Sequence, residues 1–413
     1  MFNSPETVIG GVGPGDGNLV SGHGTGVGVL ISEASAGTLV QGNIIGLNAA
    51  GNSVLPNRTG LFLHRATAVT VGGDPTARNV ISGNTESGID EDFEGLGGSN
   101  VIQGNFIGTD LSGALDRGNG LSGIELNQDN NTVAQNLVSG NNGAGVLLTR
   151  DGTQVFDNRI GTKADGVSAL PNNSHGIHVN SSNNLIGGTF GGNTAAFNGG
   201  DGVFVESGTG NAISQNSIFA NAGLGIDVAP DGVTPNDEGD GDIGPNDLQN
   251  FPLLTSVSVG GGNAVINGTL NSTPESAFKI EFFYSYGCDA SGNGEGQVLF
   301  DTTFVFTDPS GNAVLDATNA SFPHDVPPGQ VVTATASGPP FATNTSEFSN
   351  CVAAFDDADD DNDGFTDVVE SGAPLCGANT NNDSFDAGEV GGNARINDGC
   401  PALGVAEGAA RIQ

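Results

Sequence analysis

The sequence predicts an all-β chain in three parts: a rod of stacked coils, an antiparallel β-sandwich and an Asp-rich tail. Three observations predict it. A strand–turn unit anchored on asparagine recurs through residues 1–230. Alternating apolar and polar stretches replace it over 251–354, and a run of aspartates follows over 355–413. The 69 glycines have no three-residue period, which excludes collagen. No run of apolar residues at helical spacing exceeds about three turns, so the core is built from strands.

The anchors of the first part are Asn18, Asn43, Asn79, Asn105, Asn136, Asn158, Asn193 and Asn216, spaced by 25, 36, 26, 31, 22, 35 and 23 residues. Most have an apolar pair before them, such as Leu39-Val40 or Val101-Ile102. Each is followed by a second short strand led by glycine: GVLI from Gly28, GLFL from Gly60, GIDE from Gly88, GIEL from Gly123, GVLL from Gly145, GIHV from Gly176, GVFV from Gly202 and GIDV from Gly225. One such coil cannot bury its own apolar face, but about eight stacked coils share a continuous core. At a strand spacing of about 4.8 Å the rod is on the order of 40 Å long. The uneven spacing is absorbed by loops such as 46–59 and 108–120, on one side of the repeat.

These units, with "GNFIGTDLSG" (104–113) and "VGGDPTARNVISGN" (71–84), resemble the right-handed parallel β-helix repeats of the pectate-lyase-like superfamily, in particular those of bacterial surface proteins. The resemblance covers about residues 5–230 and implies the fold. It leaves activity open, because that fold hosts lyases, hydrolases, adhesins and spacers.

His23, in Ser21-Gly22-His23-Gly24, invites comparison with the Gly-His-Gly motif of polygalacturonases. Five residues after each anchor, however, the column reads His23, Asn48, Asn84, Asp110, Asn141, Lys163, Asn198 and Asn221. A column dominated by asparagine is a turn position, so His23 is read as a corner of a coil. Candidate chemistry moves to the glycine-led strand, whose alternate residues point outward. The first outward column is Phe62, Asp90, Glu125, Leu147, His178, Phe204 and Asp227; the second is His64, Asp92, Asn127, Thr149, Asn180 and Glu206. Asp90 and Glu125 fall in adjacent coils, a separation suited to a retaining glycosidase or a cation-assisted lyase. They are the candidate catalytic residues, with Arg150 the nearest base by coil. Phe62, Asp90, Asp92, Glu125, His178 and Phe204 are the candidate glycan contacts. Glu91 stands where other coils have an inward aliphatic, so the strand is expected to bulge or end there and expose it.

The segment 231–250, rich in Pro, Gly and Asp, reads as an acidic linker; Asp237, Asp240 and Asp242 could hold calcium there, although a solvated linker is the preferred reading. The alternating stretches 264–270, 278–285, 298–307, 313–318 and 331–337 predict a sandwich. With "IEFFYSYGCDASGNGEG" and "NTSEFSNC" they resemble the immunoglobulin-like modules that follow β-helices in such surface proteins. That resemblance implies a Cys288–Cys351 disulfide.

In the tail, "DDDNDGFTDVVE" (359–370) has the spacing of a calcium loop. Asp359, Asp361, Asp363, the Phe365 carbonyl, Asp367 and Glu370 supply the hard oxygens that Ca²⁺ requires. It resembles the loops of thrombospondin type 3 repeats and dockerins. Cys376 and Cys400 bracket a degenerate echo and are expected to clip it.

A net charge of −37 with ten Lys and Arg excludes nucleic acid and disfavours anionic membrane, and no apolar run is long enough to span a bilayer. Four cysteines, two per module, point to an oxidising compartment. The reading is an exported, extracellular or cell-surface protein whose signal peptide is not in this chain. It is structural or adhesive, calcium-stabilised, and presents a glycan- or partner-binding β-helix face. The alternative is a polysaccharide lyase or glycoside hydrolase acting on that face.

Overall fold

A computed structural model describes residues 4–356 except 34, 95–96, 261, 324–325, 328 and 340–342. The Asp359–Glu370 loop, Cys376 and Cys400 lie outside the described residues.

Among those residues the chain is all-β apart from one 3-10 turn, Pro245–Leu248. Its first part forms three parallel sheets of eight strands each, in which every strand pairs with its equivalent one coil on. This is a parallel β-helix. In each coil the apolar pair before the anchor enters the first sheet (Leu39–Gln41, for example). The residues after the anchor enter the second (Ile44–Ile45), and the glycine-led strand enters the third (Leu61–His64). Inward Ile, Val and Leu, such as Ile45, Leu61, Val71, Ile102, Val146 and Ile177, stack into one core with no exposed surface.

The anchors stack as amides. Asn18, Asn43, Asn79, Asn105, Asn136, Asn158, Asn193 and Asn216 form one ladder, each backbone N–H donating to the Oδ1 of the next at 2.9–3.2 Å. A buried amide at a turn costs free energy unless every group is paired, and the repeat pairs them coil by coil. A second ladder runs His23, Asn57, Asn84, Asn119, Asn141, Asn172, Asn198, Asn221. It corrects the constant-offset column: Asn48, Asp110 and Lys163 do not belong to it. In those three coils a flap is inserted before the corner, closed by the bridges Leu47–Val54, Thr109–Asp116 and Thr162–Ala169. His23 begins the ladder, its Nδ1 2.8 Å from Asn57 Oδ1, which supports its reading as a corner.

The ladder also explains why glycine leads the third-sheet strands. A Cβ at Gly88 would lie 2.8 Å from Asn119 Nδ2 and 2.7 Å from the Gly123 carbonyl oxygen, closer than any side chain tolerates.

Residues 253–356 form a second sheet system of nine strands, largely antiparallel: seven run in the order Val298–Phe306, Ala277–Ser285, Val331–Gly338, Val352–Asp356, Leu253–Gly260, Asn263–Asn271, Asn312–Leu315, while Ser321–Phe322 pairs with Asn263–Asn271 and Thr343–Thr345 with Val331–Gly338. Both ends of that order, through Phe300 and Leu315, bury side chains in one core with Phe278, Phe282 and Val332, so the sheet folds over on itself. Cys288 and Cys351 are bonded, as the resemblance implied.

This unit closes the C-terminal end of the rod. Phe283 and Phe348 belong to the β-helix core. A Cβ at Gly225 in the last coil would meet Phe348 at 2.8 Å and Glu295 at 3.2 Å, where earlier coils have the next asparagine. Glu295 takes over the second ladder: its Oε1 accepts from Asn221 N (3.0 Å) and Nδ2 (3.1 Å), and its Oε2 from Ala220 N. Glu281 accepts from Ser214 Oγ and Gln215 N, and Glu347 from Val228 N and Thr234 N.

Candidate functional site

The outward column of the third sheet is in register along the rod. Leu30, Phe62, Asp90, Glu125, Leu147, His178, Phe204 and Asp227 are successive pairing partners, one strand spacing apart. Strict alternation in strands of three to five residues turns these positions away from the core that their neighbours fill, although Asp227 is itself buried.

Asp90 and Glu125 are side by side in coils three and four. Burial, then the charges of Glu125 and Glu86, push the Asp90 carboxyl up to about 7, and Arg58 only partly offsets this. Asn127 Nδ2 lies 3.4 Å from Asp90 Oδ1, and Ser87 Oγ donates to Glu125 Oε2 at 3.0 Å. Arg58 is 3.6 Å from Glu86 on the same edge. In coil two, Phe62 lies beside Asp90 and its ring stacks on His64 at 6.4 Å. His64 Nδ1 is 2.7 Å from Asp92 Oδ2, and Gln128 Nε2 donates to Asp92 Oδ1 at 2.5 Å. The sequence placed His64 and Asp92 in one outward column. Their pairing is not legible there, because it spans two coils and depends on Gln128 from a third.

Glu91 corrects the sequence reading. It is fully buried, inside the strand Ile89–Glu91 and opposite Leu63. Its Oε1 accepts from Asn100 Nδ2 (2.8 Å), and its Oε2 from Asn127 N (3.2 Å), Gln128 N (3.1 Å) and Asn131 Nδ2 (3.0 Å). Burial pushes the carboxyl up to about 7 against these four bonds. The strand continues because the corner of coil four brings donors that need an acceptor. Asp92 and Asn127 are likewise buried, and Asn180 pairs with Ser207 in place of Glu206, because a bulge follows Val179.

A second group occupies coils six to eight. His178 Nε2 is 2.9 Å from Glu206 Oε2, and His175 Nδ1 is 2.8 Å from Asp201 Oδ2. Phe204 stacks on His175, with centroids 4.6 Å apart and planes 20° from parallel. Burial holds His178 below the usual imidazole range, opposed by its bond to Glu206. Asp227 is pushed up to about 6 by burial. Its Oδ2 accepts from Gly232 N at 2.9 Å, while its Oδ1 has no hydrogen-bond partner among the described residues. His175 and Asp201 were missed because they belong to corners, outside the strand positions read for outward side chains; the spacing of His175 and His178 in "SHGIHV" was the available signal. Arg150 is exposed in the turn after Val146–Leu148, away from the corners that hold these groups.

Among the described residues one cluster of carboxylates could hold a metal ion. Oxygen atoms of Asp237, Asp240 and Asp242 lie within 4.8 Å of one another. Asp240 accepts from Asn250 N (2.8 Å) and Ser272 Oγ (2.7 Å), and Asp237 from Gly241 N. Burial, with the neighbouring aspartates, raises both Asp240 and Asp242.

No protein-family model and no curated protein sequence matches the chain. Among solved structures, it is similar to full-length tailspike protein 2 of Escherichia coli O157:H7 bacteriophage CAB120 (TM-score 0.33, 11% identity, 81% of this chain and 58% of that one). It is similar also to the mannuronan C-5 epimerase AlgE6 A-module of Azotobacter vinelandii (TM-score 0.34, 14% identity, 54% and 57%). A third is the tailspike gp49 of Acinetobacter baumannii bacteriophage Fri1, a capsular polysaccharide depolymerase (TM-score 0.16, 11% identity, 80% and 70%). The chain spans less than three fifths of the first two. Likenesses this distant carry no functional argument, and the β-helix assignment rests on the three sheets. Among the described residues no helix is long and apolar enough to cross a membrane.

Proposed function

We propose that the third-sheet face binds a polysaccharide and hydrolyses it through Asp90 and Glu125. The observation that carries this reading is the carboxylate pair itself: adjacent in register, with one member pushed up to about 7 by burial and by the other's charge. A carboxyl raised by burial beside a second carboxylate suits the acid role in glycoside cleavage. In this scheme Asp90 donates its proton to the glycosidic oxygen as the bond to the anomeric carbon breaks. Glu125 forms an ester to that carbon. Water, deprotonated by Asp90, then displaces Glu125 and releases the sugar. A backbone separation of one strand spacing, about 4.8 Å, matches the short carboxyl distance of retaining enzymes and not the longer one of inverting enzymes.

The test is release of reducing ends from a polysaccharide panel. Asp90→Asn and Glu125→Gln should each lower turnover at least about 100-fold, the usual contribution of a positioned acid or base. Turnover indifferent to both variants sinks the assignment.

The remaining parts fit an exported protein. The Cys288–Cys351 bond suits an oxidising compartment. The folded-over sheet is read as an immunoglobulin-like sandwich that caps a right-handed β-helix. Calcium is the ion assigned to the Asp237–Asp240–Asp242 group, because carboxylate oxygens are hard ligands. Calcium titration followed by thermal stability tests it, and a response unchanged by Asp240→Asn removes it.

A further inference from the structure

We infer that the polysaccharide held along this face carries no anionic groups, and that it lies lengthwise on the column from Phe62 to Phe204. The inference rests on reading the face as a glycan site and adds the class of glycan.

The length follows from register. Phe62 and Phe204 are five pairing steps apart, with Asp90, Glu125, Leu147 and His178 between them in successive coils. A pyranose ring is roughly as long as one strand spacing of about 4.8 Å, so an extended glycan presents about one ring per coil. Each end of the column offers an aromatic face. Phe62 stacks near His64, and Phe204 is backed by His175. Such faces receive the apolar C–H side of a sugar.

The charge class follows from what surrounds these rings. Asp90 and Glu125 lie on the column with buried Asp227, and Glu86, Asp201 and Glu206 lie beside it, paired with Arg58, His175 and His178. The guanidinium groups at its start are already engaged: Arg58 with Glu86 at 3.6 Å and Arg65 with Glu94 at 2.7 Å. Arg150 alone, exposed in its turn, could not neutralise one anion per ring. A uronate or sulfate polymer would set like charges over the carboxyls of coils three, four and seven, in a chain of net charge −37. Carboxylates suit hydroxyl and ammonium donors, so neutral and amino-bearing polysaccharides fit and acidic ones do not.

The test is binding of the full chain carrying Asp90→Asn to an array of immobilised neutral, N-acetylated, amino-bearing, uronate and sulfated polysaccharides, all in EDTA so that no cation bridges like charges. The expected result is that the tightest binders are anion-free, by at least about tenfold over any acidic polymer. Phe62→Ala and Phe204→Ala should each weaken that binding about tenfold, which separates the face from non-specific attraction of a cationic polymer to an acidic protein. An acidic polymer as tightest binder, no binding to any polymer, or binding indifferent to both phenylalanine changes overturns the inference. Turnover separates this outcome from the hydrolase reading. If the unsubstituted chain cleaves a uronate polymer through Asp90, the hydrolase reading stands and this inference falls. If neutral polymers bind in a phenylalanine-dependent way and none is cleaved, this inference stands and the hydrolase reading falls.

Discussion

The first and last described coils of the β-helix are built on the same repeat and have different surroundings. At the N-terminal end Val8, Leu19 and Leu30 are about half exposed, and the ladders begin with Asn18 and His23. At the C-terminal end the last coil is covered by Phe283 and Phe348 and met by Glu281, Glu295 and Glu347. The difference lies in the direction of the ladder. Each asparagine gives its N–H, and in most coils its Nδ2, to the Oδ1 of the coil that follows. Among the described residues the first coil is therefore left with acceptors, and the last with donors. Donors facing a covered end need an oxygen, and a carboxylate supplies two without bringing donors of its own. Glu91 makes the same substitution inside the rod, where coil four turns its amides toward coil three.

The largest expected effect breaks the closed end. Glu295→Ala leaves Ala220 N and Asn221 N without their acceptor, at about 1–3 kcal/mol per buried donor, while Asn221 Nδ2 keeps the Ala195 carbonyl. We expect a loss of about 4 kcal/mol in urea unfolding; a loss under about 1 kcal/mol means that these donors do not need the glutamate. Next comes the ladder itself. Asn141→Ala, in mid-rod, should cost about 2–3 kcal/mol, because Asn119 loses its acceptor. Asn18→Ala, in the first described coil, should cost under about 1 kcal/mol. Equal costs would show that the two ends are not distinguished by ladder direction.

Acid–base linkage gives a third, smaller difference. Burial raises Glu347 to about 8, Asp90 and Glu91 to about 7, and Asp227 to about 6. A carboxyl whose folded value lies above its unfolded one binds its proton more tightly in the fold. Its contribution is full below about pH 4 and is lost as pH rises through the folded value. Stability should therefore decline from about pH 5 to about pH 8, and Glu347→Gln should flatten the upper part of that decline. A thermal midpoint that climbs over this range contradicts the assignment. The smallest effect belongs to His23→Asn, which completes the second ladder with the residue its other coils use. It should alter stability by no more than about 0.5 kcal/mol and leave glycan turnover unchanged. Loss of turnover in that variant would return His23 to the active-site candidates.

The repeat, its eight coils, the anchors that became a ladder and the outward column from Phe62 to Asp227 were all legible in the chain alone. Each of these is periodic, and periodicity survives in one dimension. Whatever breaks the period emerged only when the coils were stacked. The flaps shifted the second ladder from Asn48, Asp110 and Lys163 to Asn57, Asn119 and Asn172, because a loop can be inserted without moving the corner that follows it. Glu91 turned inward because its oxygens were needed by a corner about 36 residues further on. His64 met Asp92, and His175 met Asp201, across coils. The caps of the rod came from residues 66 to 119 positions away from the donors they satisfy. Local pattern fixes which way a side chain points; whether a charge is tolerated there depends on partners that only stacking brings within reach.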